Sequence, residues 1–202
     1  MTSVYAAIVL AGGDGRRLGG RDKPGLPVGG RPMLGRVLDA VAGAAPRIVV
    51  GPQRPGLPRD VILAREDPPG GGPVAAVAAG LAALPGAAPG FVAVLAADLP
   101  FLTRDDLAAL HRAAAHGDHD GAVLVDEGGR QQWLCGVWRT AALRRRLAEV
   151  GAPAGQPMRA LVRGLRPAEV RPAEVRRDEE AGPPPWYDCD TEDDYRRAEE
   201  WA

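Results

Sequence analysis

The sequence predicts an α/β fold with a mainly parallel sheet covered by helices on both faces. Short apolar runs bounded by Gly and Pro alternate with helix-length segments through the first half of the chain, as successive βαβ units require. Those runs are apolar at every position instead of alternate ones, the pattern of strands buried on both faces. The first run also leads directly into a glycine-rich loop, and in open α/β sheets ligands gather at the carboxyl ends of strands.

In order, Ala6 to Leu10 (AAIVL) is a buried strand closed by Ala-Gly-Gly. Pro32 suits the first turn of a helix running to about Ala44, because its missing N–H has no helical partner there. Leu34, Val37, Leu38 and Val41 give that helix one apolar face. Arg47 to Val50 and Val61 to Ala64 are strands, and Pro73 to Leu84 is a helix whose small residues permit close packing. Phe91 to Ala96 (FVAVLA) is a strand ending just before Asp98. Thr103 is an N-cap, with Asp105 and Asp106 in the first turn of a helix to about Ala115, where acids favour the helix dipole. Gly121 to Val125 and Trp133 to Trp138 are strands, and Thr140 to Glu149 is an arginine-rich surface helix. Thr191 with Asp194 three residues on makes a capping box for a last helix to Trp201. Between Arg166 and Gly182, "RPAEV" occurs twice in tandem; a period of five suits neither helix nor strand, so this stretch reads as a surface extension.

A length of 202 residues suits one domain, 1–202. Hydrophobic residues at 46% and charged residues at 25% are ordinary globular usage, and no apolar run is long enough for a bilayer, so no membrane association is expected. The opening "MTSVYAAIVLAGG" has no basic start, so no signal peptide is expected and the cytoplasm is the expected location. Cys135 and Cys189 make neither a metal-ligand spacing nor a disulfide framework. A net charge of −1 gives no reason to expect nucleic-acid binding.

The stretch "VLAGGDGRRLGGRDKPG" contains Lys23, the only lysine among 25 Lys and Arg residues. An ammonium is a compact point charge on a flexible stem and a guanidinium a planar fork, so the difference matters most where one small charge must meet a phosphate oxygen. The loop is not a Walker loop, since Gly15 and Gly20 have the spacing but are followed by Arg21 and Asp22. Nor is it a dinucleotide fingerprint: Gly13-Asp14-Gly15-Arg16-Arg17-Leu18 lacks the third glycine, and the next strand ends "VVGP" without a ribose-binding acid. Its glycines still let backbone N–H groups approach a phosphate chain, and Arg16, Arg17, Arg21 and Lys23 can neutralise it.

Asp98, immediately after a buried strand, is placed to hold Mg²⁺ against phosphate oxygens. Asp188 and Asp190 in "WYDCDTEDDY" share one side of an extended segment and offer either a second carboxylate or a charged helix start. Ser3 is the sole serine, which excludes a Ser-His-Asp enzyme. His111, His116 and His119 crowd one helix end and read as a solvated loop, and Cys135 reads as a buried strand residue.

Together these segments resemble the MobA-like nucleotidyltransferases, and most closely the molybdenum cofactor guanylyltransferases. The resemblance rests on "LAGGDGRRLGGRDK", "GGRPML", "EDPPGGGPVAAVAAGL", "ADLP" and "DCDTEDD", spread over most of the chain. It implies a three-layer Rossmann-like nucleotidyltransferase fold with a mainly parallel, mixed sheet, and transfer of GMP from GTP to molybdopterin cofactor with release of pyrophosphate. It implies that Leu10, Ala11, Gly12 and Gly13 meet the guanine and ribose, that Lys23 helped by Arg17 holds the triphosphate, that Asp67 contacts the nucleotide, and that Asp98 coordinates Mg²⁺. On the acceptor side the candidates are Gln132, Trp133, Arg159, Asp188 and Asp190, and the product would pass to a molybdoenzyme or its chaperone.

Three positions depart from the family pattern: Gly51 where Asn is frequent, "GPVAA" without its last glycine, and Asp188 and Asp190 in a "DxDT" form common among cytidylyl relatives. Two other readings share these residues: cytidylyl or guanylyl transfer to another acceptor, and a nucleotide-binding partner of a molybdoenzyme without turnover.

Overall fold

The structure, a computed structural model, describes residues 5–13, 21–171 and 183–202. Strand β1 (Ala6–Leu10) is buried at all five positions. Among the described residues seven strands form one sheet: β1, β4 (Arg47–Val50), β5 (Val61–Ala64), β6 (Phe91–Ala96), β7 (Gly121–Val125), β8 (Gln131–Arg139) and β9 (Pro167–Val170), in the order β5-β4-β1-β6-β8-β7-β9. Every pairing is parallel except those of β8, which runs antiparallel to β6 and β7. The predicted α/β class and mixed, mainly parallel sheet are therefore what the chain forms. A two-stranded hairpin, β2 (Pro27–Val28) with β3 (Arg31–Pro32), stands apart.

Successive strand residues face opposite sides, and the core divides accordingly. Ala7, Val9, Val49, Ala93 and Leu95 pack under α1 (Met33–Ala40) and α3 (Arg104–Ala115). Ile8, Ile48, Val50, Val92 and Val94 pack under α2 (Gly72–Ala82), α4 (Thr140–Val150) and α5 (Met158–Val162). A third cluster, with Val28, Met33, Phe101, Cys189 and Ala198, seats α6 (Glu192–Trp201) on the hairpin. At Gly80 a Cβ would stand 2.5 Å from the Ile8 side chain, so the small-residue face of α2 is what brings it close to β1.

Both capping boxes form. Thr103 and Thr191 accept from the backbone N–H of Asp106 and Asp194, whose carboxylates accept from the threonine N–H in return. The first helix departs from its expected span: Pro32 is the N-cap and α1 stops at Ala40. The chain then tightens through bonds from Ala42 to Asp39 and from Ala44 to Val41. Pro46 follows, and a residue before proline is steered out of helical geometry.

The tandem RPAEV segment is a correction. Its first copy is not a surface extension: Pro167–Val170 pairs in parallel with β7, and Val170 is buried in the core. Proline is tolerated because it is the first residue of an edge strand. Most of the second copy lies outside the described residues.

His111 is a second correction, because it is 9% exposed and not part of a solvated loop. Its ring lies 4.9 Å from that of Phe91 and 5.6 Å from that of Tyr5. Burial lowers its pKa below the ordinary imidazole value. In the unfolded chain that value is about 6.5, so the unfolded state takes up the proton first. The stabilising contribution of neutral His111 is complete above about pH 6.5 and is lost as pH falls from there toward the lower folded value. We expect urea midpoints to fall less between pH 7.5 and 5.5 for His111→Phe than for the unsubstituted protein; equal falls would show that His111 is not a source of the acid sensitivity.

Candidate active site

The carboxyl ends of β1, β4, β5 and β6 open on one side of the sheet, and Leu10 to Gly13, Lys23 and Asp98 among the residues singled out in the sequence lie there. The β1 ladder extends through Ala11, whose N–H reaches the Val50 carbonyl at 2.8 Å, while Ala97 N–H closes onto the Leu10 carbonyl at 3.0 Å. Leu10 and Ala11 are thereby buried, and Gly12 and Gly13 emerge exposed beyond the sheet. Gly51 follows β4 with φ of 154°, and a Cβ there would stand 2.8 Å from the Ala11 backbone. Glycine at this position is therefore a steric requirement of the approach between the β1 and β4 loops, which accounts for one departure from the family pattern.

Lys23 opens a single 3-10 turn, Lys23–Gly25, closed by a bond from Gly25 N–H to the Asp22 carbonyl. Asp22 is gripped in turn by Arg54, whose Nη2 and Nε reach its carboxylate at 2.6 and 3.1 Å. This fixes the backbone just ahead of the lysine against the loop after β4. The Lys23 ammonium is paired with Asp98 at the end of β6 and lies 2.5 Å from Asp190 Oδ1. Burial works against the ammonium, but the two carboxylates outweigh it and raise its pKa, so it stays charged at neutral pH.

Two carboxylates thus share one ammonium, and a third, Asp188, feels the same charges. The cost appears at Asp188, where burial, then the charges of Asp190 and Asp98, raise the carboxyl pKa against the opposing pull of Lys23. Cys189 between them is pushed up to about 12, by burial first and Asp98 second, and is no nucleophile. Asp98 Oδ1 is itself buried without a hydrogen-bond partner.

Beside this cluster a cavity of about 400 Å³ is lined by Asp98, Asp188 and Asp190 together with Gln132, Trp133 and Trp186. It joins β6 and β8 to the segment leading into α6. Gln132 is held by its amide donating to Asp126 at 2.9 Å, and Trp133 by its indole N–H donating to Gln131 at 3.0 Å. Arg159, the remaining acceptor-side candidate, is exposed on α5 and is not among the residues lining this cavity. Met158, from the GQPMRAL segment that also carries Arg159, lines it, as does Trp186, for which the sequence carries no signal.

Arg21 turns away from the loop, pairing with Glu192 at the start of α6 and lying over the Tyr195 ring. Arg16 and Arg17 lie outside the described residues. Asp67 is exposed, and the preceding Glu66 is the acid that faces the glycine loop: its Oε1 accepts from Gly70 N–H at 3.2 Å and would stand 3.3 Å from a Cβ on Gly12. The family resemblance pointed to Asp67 and gave no signal for Glu66.

A Mg²⁺ ion fits the donors only in part. Among the described residues no group of three or more His, Cys, Asp or Glu side chains forms a metal cage. The ion does not need one, because it is commonly held by one or two carboxylates together with substrate phosphates. The unpartnered Asp98 oxygen, with Asp188 and Asp190 nearby, offers that smaller donor set.

The sequence matches the family described as MobA-like NTP transferase domain over residues 7–171. It is 35% identical over 145 residues, covering 69% of this chain and 71% of the relative, to a Rhodobacter capsulatus protein named molybdenum cofactor guanylyltransferase. A Mycobacterium tuberculosis protein named "Probable molybdenum cofactor guanylyltransferase" is 37% identical over 157 residues, covering 75% of this chain and 76% of its own. Among solved structures, molybdopterin-guanine dinucleotide biosynthesis protein A from Archaeoglobus fulgidus shares the fold with a TM-score of 0.73 at 20% identity, over 97% of each chain. The 2-C-methyl-D-erythritol 4-phosphate cytidylyltransferase from Thermus thermophilus shares it with a TM-score of 0.66 at 22% identity, over 98% of each chain.

Proposed function

Because the chain belongs to the MobA-like NTP transferase family, we propose that it transfers GMP from GTP to molybdopterin cofactor, making the guanine dinucleotide form. The terminal phosphate oxygen of the acceptor attacks the α-phosphorus of GTP. A new P–O bond forms, the bond bridging the α- and β-phosphorus breaks, and pyrophosphate leaves. The observation that carries this reading is the pairing of Lys23 with Asp98, which itself lines the cavity with Trp133 and Trp186. It puts a cation suited to phosphate, a carboxylate suited to a metal and an aromatic-lined recess for a planar acceptor in one place.

In this reading Leu10 to Gly13 bind the nucleoside through their backbone, and Lys23 leaves its carboxylates to neutralise the triphosphate, joined by Arg17. Asp98 would hold Mg²⁺, which when bound withdraws charge from the phosphate oxygens. Gln132, Trp133, Asp188 and Asp190 orient the acceptor. The chemistry asks for positioning and charge neutralisation and needs no covalent nucleophile, in agreement with the buried, protonated state of Cys135 and Cys189. Among the described residues no helix is long and apolar enough to cross a membrane; a cytoplasmic location and delivery to a molybdoenzyme or its chaperone belong to the proposal.

Pyrophosphate release from each of the four NTPs, with Mg²⁺ and molybdopterin present, tests the assignment. GTP is expected to turn over at least tenfold faster than CTP. Preference for CTP would move the chain to the cytidylyl branch, and no release from any NTP would leave a binding role.

A further inference from the structure

We infer that Glu66 is the residue that selects guanine, by accepting hydrogen bonds from the paired donors N1–H and N2–H₂ of the base. This rests on the guanylyl reading above. Glu66 follows β5 and is tied in place by the bond from Gly70 N–H to its Oε1, which leaves that oxygen directed at Gly12 in the β1 loop. Its other oxygen, Oε2, is buried and has no hydrogen-bond partner in the structure. A buried acceptor without a partner costs free energy, so its place at the edge of the β1 loop marks it as waiting for a donor that the described residues do not supply.

Which part of the nucleotide supplies that donor follows from charge. A carboxylate repels phosphate, so Glu66 belongs to the nucleoside end. Lys23, the cation for phosphate, is gathered with Asp98 after β6. In the sheet β5 is separated from β6 by β4 and β1, three inter-strand spacings or about 14 Å. A nucleotide laid across the strand ends therefore has its phosphates at one side and its base at the other.

An ionised carboxylate only accepts hydrogen bonds, and guanine presents two adjacent donors on its Watson–Crick edge. Cytosine presents one donor beside two acceptors on the same edge, so the acceptors would face the carboxylate and be repelled. Asp67, next in sequence, is exposed. Ribose hydroxyls could also donate to a carboxylate, and the experiment separates the two.

Equilibrium binding of GTP, inosine triphosphate and 2′-deoxy-GTP to the full chain with Mg²⁺ reads the contact without requiring turnover. Inosine triphosphate lacks only the N2 amino group. We expect the unsubstituted protein to bind GTP roughly tenfold to a hundredfold more tightly than inosine triphosphate, the discrimination of a site built around a paired contact. In Glu66→Gln, which keeps an acceptor for Gly70 N–H, the ratio should approach one. A comparison of the two ligands on the unsubstituted protein needs no variant to fold. No discrimination there, an unchanged ratio in Glu66→Gln, or a loss confined to the 2′-hydroxyl preference would each overturn the assignment to the base. Failure of the guanylyl reading is seen separately, as absence of pyrophosphate release with GTP, while the binding ratio still decides the role of Glu66.

Discussion

Replacing Lys23 with arginine is expected to lower GTP-dependent pyrophosphate release about a hundredfold or more while the protein folds normally, the scale of losing one preorganised charged donor at a developing charge. The two halves of this expectation have different sources. Folding is preserved because Lys23 is mostly buried between Asp98 and Asp190, and a guanidinium still gives both carboxylates a positive partner. Activity is lost because the planar fork is larger, keeps its charge in a fixed plane and is matched to bidentate carboxylates. It would hold the two aspartates more firmly and reach the phosphate oxygens less well. Lys23→Ala separates charge from shape: it leaves Asp98, Asp188 and Asp190 facing one another with no ammonium, so its melting temperature should fall below that of Lys23→Arg. Turnover of Lys23→Arg at the unsubstituted rate would show that the lysine, although alone in the chain, is incidental.

The rank of lysine in this argument was legible from composition, since a chain that writes every other basic residue as arginine makes one lysine conspicuous. The sheet was legible for a different reason. Strands such as AAIVL and FVAVLA are buried on both faces, so every position reports its environment and the phase of the pattern does not matter. Strand β9 was hidden because PAEV lies at an edge, begins with proline and sits inside a tandem repeat whose second copy masks its identity. That Glu66 lies beside the glycine loop was hidden because the strand stops at Ala64. Beyond a strand end the alternation of side-chain directions no longer holds, and two adjacent acids become equivalent on paper. Trp186 was hidden because an apolar residue in a loop carries no signal of what it lines, and only the fold brings it to Asp98.

Asp98→Asn is expected to raise or leave unchanged the melting temperature at neutral pH and to lower turnover by two to three orders of magnitude, the scale for removing a charged group that organises phosphoryl transfer. The stability half follows from the electrostatics of the cluster. Burial and the neighbouring charges of Asp190 and Asp98 hold the Asp188 carboxyl above the ordinary carboxylate range. A carboxyl whose folded pKa is raised costs stability as pH climbs from its unfolded value of about 4, and the cost grows until pH passes the raised folded value. Asparagine removes one of the repelling charges, which relieves part of the rise at Asp188 while burial and Asp190 still act on it, and leaves Lys23 paired with Asp190. It also replaces a buried carboxylate oxygen that has no hydrogen-bond partner with a neutral atom that is cheaper to leave unpaired. The activity half follows from the same facts in reverse, because an amide neither holds a divalent cation in place of a carboxylate nor balances the ammonium beside the phosphates. Thermal melts at pH 7 and pyrophosphate assays on the one variant read both. A variant that loses melting temperature along with activity would make Asp98 a structural partner of Lys23, and one that keeps turnover would remove it from the reaction. Gain of stability with loss of turnover is the signature of a charge retained for chemistry against the preference of the fold.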